Sequence, residues 1–275
     1  MRTNPLLSQE PDENPSPRRL QELTQRLSVT WKKRYVSSSN LEFIQTAEEL
    51  ARTRARSQEW LVKLSRAYYL RAEHLSLNPS LTTNEKLQSY LWGAHWAELA
   101  LTLNPEYKSR VRNQRLAPEN LLDSIQPHQH EALYWHAVNL GRWAQHAGLT
   151  EVLRYKNRVK KMIDFLAARS PQLFHGGVYR YYGSYFALQP GFNERDLEQS
   201  KRYFESGLSK FPNYLANRTL YAQAYAIKMK DLELARRLLE PAAQFKLRID
   251  DEEYPEQHLE QIRAQSLLKQ ISGAP

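Results

Sequence analysis

Residues 182–242 read YGSYFALQPGFNERDLEQSKRYFESGLSKFPNYLANRTLYAQAYAIKMKDLELARRLLEPA. The order of residue sizes in this stretch decides the fold. Gly183 is followed three residues on by Phe186, and Phe204 and then Leu208 precede Pro212. A second round follows, with Ala222 and Tyr225 in one helix, Asp231 at the turn, and Ala235, Leu239 and Ala242 in the next. Small residues let two helices approach closely, and bulky ones fill the space between them. A proline after the second helix stops it, because proline disfavours helical backbone in the residue before it. The stretch therefore reads as helical hairpins in series, one over about 178–212 and one over about 214–245.

The small–aromatic, turn, small–bulky, proline order is the tetratricopeptide pattern. Working upstream, Glu131–Ala147 reads as a strong helix ended by Gly148, and about Glu151–Ala168 as its partner before Ser170-Pro171, a hairpin over about 131–171. Ser57–Leu77 carries Trp60, Leu64, Ala67, Tyr68 and Leu75 and stops at Asn78-Pro79. Its partner Asn84–Leu103 stops at Asn104-Pro105, which gives a hairpin over about 57–105. Leu20, Leu23, Leu27 and Trp31 recur at helical spacing within Arg18–Val36. Ser37 to Asn40 read as a break that caps the next helix, Leu41–Thr53. Tyr107–Pro127 reads as irregular, with a short helix near Pro118–Ile125. Leu259–Ile271 reads as a closing helix, which an array of repeats needs to cover its last apolar face. The expected fold is all-α: one tetratricopeptide-like helical-hairpin solenoid over 18–275, closed by a C-terminal capping helix at about 259–271. Residues 1–17 are expected to be a flexible lead-in, because Pro5, Pro11, Pro15 and Pro17 alternate there with Asp12 and Glu13.

Composition narrows the chemistry. The 275 residues include no cysteine, which excludes disulfides, thiolate metal sites, cysteine catalysis and lipid attachment to a cysteine in the sequence as given. Mean hydropathy is −0.71, and no apolar run approaches the roughly 18 residues of a membrane span. The opening MRTNPLLSQEPDENPSPRRL lacks the apolar core of a secretion signal. The expected location is the periplasm if an export signal was removed, and the cytoplasm otherwise. The net charge of +9 is spread over short basic runs, WKKR at 31–34, RTRAR at 52–56 and RVKK at 158–161. These read as solvated helix faces rather than a nucleic-acid footprint, so no nucleic acid is expected as a partner. GxGxxG, a P-loop, GxSxG and HExxH are all missing, His128 and His130 fall beside Pro127 in an expected loop, and Asp250 to Glu253 sit in a polar linker. Neither a catalytic site, a metal nor a cofactor is expected.

Two stretches are candidates for binding. In EALYWHAVNLGRWAQHAG (131–148), Trp135, Asn139 and Arg142 fall at i, i+4 and i+7 on one helical face. An aromatic ring, an amide and a guanidinium on one stripe could hold an apolar body and a carboxylate, which Arg grips with two parallel hydrogen bonds. On that reading, Arg142→Ala weakens binding and leaves the melting temperature nearly unchanged. The other reading of the same stripe has Trp135 in the core, Asn139 bonded to a neighbouring turn and Arg142 in water. In LFHGGVYRYYGSYFALQPGF (173–192), His175-Gly176-Gly177 precedes a helix start, where backbone N–H groups can receive an anion. Arg180 follows in the first turn, then Tyr181, Tyr182 and Tyr185, which offer flat contact plus a hydroxyl. Here the other reading is a connection in which glycines permit unusual dihedrals and the tyrosines pack between hairpins.

NLGRW at 139–143, HGG-x-x-R at 175–180 and PGF-x-x-x-DLE-x-S at 190–200 together resemble the T component of tripartite ATP-independent periplasmic (TRAP) transporters. The resemblance spans about 85–270 and is best over 131–245. It implies a helical periplasmic accessory protein with a channel through its repeats, which forms a homo-oligomer and docks a solute-binding protein. It also implies a small apolar or amphipathic organic ligand. The matching positions Trp135, Asn139, Arg142, Arg180 and Tyr185 become inner-surface candidates, with His175 and Tyr182 beside them. The expected function is thus a non-enzymatic accessory component of a TRAP-type uptake system. The alternative is a cytoplasmic tetratricopeptide scaffold that binds a peptide or protein in its concave groove.

Overall fold

A computed structural model describes residues 4–77, 83–188 and 196–273. The Asn78-Pro79 stop and the PGF segment at 190–192 lie outside the described residues. Among those described, the regular structure is all helical. Twelve α-helices are accompanied by short 3-10 turns at Pro5–Ser8, Pro118–Asn120, Leu122–Ser124 and Pro127–Gln129, and a lone backbone bridge links Asp12 to Thr53. The chain divides into two compact units, Met1–Leu166 and Ala167–Pro275.

The first unit begins with α1 (Pro17–Lys32), which has Pro17 at its first position and the Ser16 side chain accepting from Arg19 N. Leu23, Leu27 and Trp31 form its buried stripe. Each such leucine contributes about 1.5–3 kcal/mol when fully buried. Then come α2 (Ser37–Ala51), α3 (Gln58–Ser76) and α4 (Thr83–Leu101). Ser57 caps α3 through its side chain. Each of these helices packs on the one before it, and α6 (His130–Ala147) packs on α4 and α3. The helix α7 (Leu149–Arg169) follows directly after Gly148, whose φ of 118° ends α6. It runs back along α6, with Tyr155 edge-on to Trp143 and Phe165 edge-on to His130.

Three local readings need correction here. Ser37 to Asn40 do not break the chain: α2 starts at Ser37, and Asn40 is buried with its Nδ2 donating to Ala67 O at 3.3 Å. The segment from Tyr107 is not irregular throughout, because α5 covers Pro105–Gln114. Asn104 caps it by accepting from Glu106 N, with Pro105 at the first position, so the apparent stop after α4 is also a start. The lead-in before residue 17 is not loose in its described part. Asn4 is buried and donates through Nδ2 to His95 O (2.9 Å) and Glu98 Oε2 (3.1 Å). Its Oδ1 accepts from Leu6 N and opens a 3-10 turn that buries Leu6. One amide that satisfies a donor and an acceptor in a buried contact outweighs the disordering composition around it.

The second unit holds α8 (Leu173–Leu188), α9 (Leu197–Lys210), α10 (Ala216–Tyr221), α11 (Leu232–Ala243) and α12 (Tyr254–Ser272). α8 and α9 cross closely at Gly183. A Cβ there would lie 2.7 Å from the ring of Phe204, and Ser200 Oγ donates to Gly183 O at 2.7 Å. A π-turn over Ala222–Ala226 continues α10, with Ile227 N bonding to Ala222 O. Lys230 then takes a left-handed φ of 59°, and Asp231 caps α11. Phe204, Tyr221, Leu238, Leu239, Leu267 and Ile271 share one buried cluster, to which α12 contributes the last two. α12 begins at Tyr254 rather than near Leu259, because Pro255 fits its first turn.

Candidate functional site

The stripe Trp135–Asn139–Arg142 turns toward helix packing. Asn139 is fully buried where α3, α4 and α6 meet. Its Nδ2 donates to Ser65 Oγ (3.1 Å) and Trp135 O (3.0 Å), and its side chain fills the space a Cβ on Gly93 would need. Trp135 is buried, with its ring 5.2 Å from that of Tyr69. Arg142 Nε donates to Glu73 Oε1 at 2.8 Å, and Tyr90 OH donates to the same oxygen at 2.6 Å. The Glu73 side chain is 1 % exposed and that of Arg142 29 %. The expected ligand stripe thus faces the interior, and its guanidinium neutralises a buried carboxylate. Its spacing correctly put the three side chains on one face and carried no information about what that face would meet.

In the second unit, the HGG stretch forms a left-handed turn at the head of α8. Phe174, His175 and Gly176 all have positive φ (47°, 50° and 84°). A left-handed conformation costs a residue with a Cβ about 1–2 kcal/mol, so two of the three positions are strained. Arg180 holds them in place. Its Nη2 donates to Phe174 O (2.7 Å), and its Nη1 donates to His175 O (2.9 Å) and Asn217 Oδ1 (2.8 Å). Asn217 Nδ2 completes the clamp on Phe211 O (2.9 Å) and His175 O (3.2 Å). Arg180 was expected on an inner, ligand-facing surface; instead it binds backbone carbonyls, because the left-handed turn aims them at it. His175 is brought to the surface by this turn. It stacks on Tyr214 at 4.7 Å, and its Nε2 lies 3.2 Å from Glu253 Oε1.

The tyrosines of α8 form the most extended aromatic feature of this unit. Tyr181 and Tyr185 stack at 5.7 Å, as i, i+4 spacing on a helix allows. Tyr182 and Phe186 lie beside them, and Tyr203 of α9 stacks on both, at 4.8 and 5.8 Å. Tyr182 is buried, while Tyr181, Tyr185, Phe186 and Tyr203 are half-buried. Stacked rings present a quadrupolar face to apolar and π-bearing groups and keep phenolic hydroxyls at their edges. The sequence pointed to Tyr182 and Tyr185. Phe186 and Tyr203 were missed as members, although Tyr203 sits one residue before the repeat-pattern Phe204, which places it on the adjoining face of α9.

Among the described residues, no cluster of three or more His, Asp and Glu side chains could hold a metal ion, and no helix is long and apolar enough to cross a membrane. No curated protein matches the chain. The family model of the TRAP transporter T-component matches residues 24–273, which takes in both the Arg180 clamp and the tyrosine row, and the chain belongs to that family.

Proposed function

We propose that this T-component is a non-enzymatic accessory protein that binds a small apolar or amphipathic organic ligand and docks the solute-binding protein of a TRAP-type transporter. The observation that carries the ligand part is the ring row of Tyr181, Tyr182, Tyr185, Phe186 and Tyr203. Half-buried rings lose little conformational entropy on binding and offer apolar contact with a polar edge. The Arg180 clamp fixes the start of the helix that carries four of them, so the row is held ready before a ligand arrives. Of the seven positions first singled out, Tyr182 and Tyr185 are the proposed contacts, Arg180 the positioning residue and His175 a neighbour. Trp135, Asn139 and Arg142 act through the helix packing of the first unit. Work in the periplasm and self-association belong to the same reading, as does the absence of a nucleic-acid partner.

The test is native mass spectrometry of the purified chain with identification of any released small molecule, alongside Tyr185→Ala and Tyr203→Ala. The reading expects an amphipathic molecule at fixed stoichiometry that both variants lose while retaining their helical content. Retention by both variants would remove the ligand from the ring row. A single stoichiometric protein partner with no small molecule would favour a protein-binding scaffold instead.

A further inference from the structure

The second unit contains a cavity of about 280 Å³ that the ring row does not use. It lies between the left-handed turn at His175, the connection from α9 to α10, and the loop that leads into α12. Its size is near the lower end for small-molecule sites, roughly 300–1,000 Å³. Its lining is aromatic and carries net negative charge. Phe211, Tyr214, Phe245 and Tyr254 supply rings, and the ionisable groups besides His175 are Arg248, Asp251 and Glu253. Arg248 is 81 % exposed and pairs with Asp251 at 3.8 Å. Glu253, 40 % exposed, has the imidazole of His175 as its partner. Apart from His175, the lining holds two carboxylates and one guanidinium.

We propose that this cavity binds a small organic ammonium ion of the methylated, choline-like type. An anion would meet two carboxylates and one outward cation in the lining, the Arg180 guanidinium behind Tyr214 being turned to backbone carbonyls. A neutral ligand would strip water from Glu253 without replacing its hydrogen bonds, which is costly for a charged group. An ammonium ion compensates that carboxylate and gains from the ring faces. The walls are also fixed in advance. Gln257 bonds Leu215 N and Asn213 O, both at 2.8 Å, which ties the α9–α10 connection to the first turn of α12. Tyr214 is held by the stacked His175 and by Arg180, whose guanidinium carbon lies 4.8 Å from the ring centre. The backbone strain at Phe174 and His175 thus has a use: it places the imidazole that buttresses Tyr214 and meets Glu253. The proposal stands apart from the ring row and does not rest on it.

The experiment is an NMR titration of the full chain with choline and with 3,3-dimethylbutan-1-ol, its uncharged isostere, followed by the same pair on Glu253→Gln. The expected result is saturable choline binding that perturbs the Tyr254 and Phe245 ring resonances. The alcohol should bind about fivefold more weakly, the size of one partly exposed charge interaction. Glu253→Gln should bring choline most of the way down to the level of the alcohol, with the ring contribution remaining, and leave the alcohol unchanged. Absence of saturation by millimolar choline, equal binding of the two probes to the unmodified chain, or indifference of choline to Glu253→Gln in a variant of unchanged melting temperature would each overturn the proposal.

Discussion

The crossing at Gly93 in the first unit and the crossing at Gly183 in the second use the same device with opposite fillings. In each, a glycine carbonyl accepts from a serine hydroxyl of the facing helix at 2.7 Å, Ser65 on Gly93 and Ser200 on Gly183. In each, the missing Cβ makes room for a side chain at 2.6–2.7 Å from where it would sit. At Gly93 that side chain is the amide of Asn139; at Gly183 it is the ring of Phe204. The amide could move only by giving up its bonds to Ser65 and Trp135, and the ring only by displacing its packed neighbours. The charges follow the same division. Arg142 of the first unit neutralises a buried carboxylate, while Arg180 of the second bonds to two carbonyls of a strained turn and to the side-chain oxygen of Asn217. The first unit is tied by a polar network between helices, and the second by rings and a clamped backbone.

All six tryptophans, at 31, 60, 92, 96, 135 and 143, lie in the first unit. Their fluorescence therefore follows that unit, while far-UV circular dichroism follows both. The largest effect is expected from Gly183→Leu, which should cost about 3 kcal/mol through overpacking against Phe204. Urea unfolding followed by circular dichroism should show an earlier transition, and full tolerance would break the assigned crossing. An equal shift in tryptophan fluorescence would join the two units into one cooperative block.

Arg142→Ala should come next, at about 2–3 kcal/mol, since it removes the guanidinium bonded to the buried Glu73 carboxylate. This is the reverse of the stability-neutral outcome that a ligand-facing arginine would give. Unchanged tryptophan unfolding would restore the surface reading. Arg180→Met should cost about 2 kcal/mol, the loss of charge-assisted bonds to the left-handed turn. It should be visible by circular dichroism and accompanied by loosening of the His175 resonances. Chemical shifts of Phe174 and His175 that stay left-handed in this variant would show that the turn needs no clamp.

Acid should act on the first unit. Burial pushes His95 down to about 4, helped by the charge of His136. Burial also pushes His146 down to about 4, helped by Arg142 and Lys86. A histidine whose folded pKa lies below its unfolded one adds stability that is complete above the ordinary value near 6.5 and is lost as pH falls toward about 4. Glu98 works the other way. Its burial raises its pKa, so its contribution is greatest below the ordinary carboxylate range and fades as pH rises through the folded value. Two imidazoles oppose one carboxyl, so the tryptophan-monitored melting temperature should fall between pH 6.5 and 4.5. A flat profile there would mean that both imidazoles reach water or that Glu98 offsets them, and Glu98→Gln separates the two. The smallest effect is expected from Asp231→Ala, which removes the acceptor for Leu234 N at the start of α11. It should cost about 1 kcal/mol, read by urea unfolding, and no change would mean that the left-handed Lys230 sets that turn alone.

Sequence alone determined the helical class, the spans of most helices, the close crossing at Gly183 and the family, because side-chain size order and capping residues act within a few residues of one another. It also put Tyr182 and Tyr185 together, since i, i+3 and i+4 neighbours are fixed by the helix itself. It could not tell that Asn4 reaches His95 and Glu98 across more than ninety residues, or that Glu73 would wait for Arg142 across sixty-nine. Those pairings are chosen by which faces meet, and helical periodicity defines a face without naming its partner. Only the tertiary structure decided that Arg142 serves the core, that Arg180 grips carbonyls, and that His175 stands at the wall of a cavity. The left-handed turn behind the last two is unfavourable locally and persists because the nearby Arg180 and the distant Asn217 hold its carbonyls together.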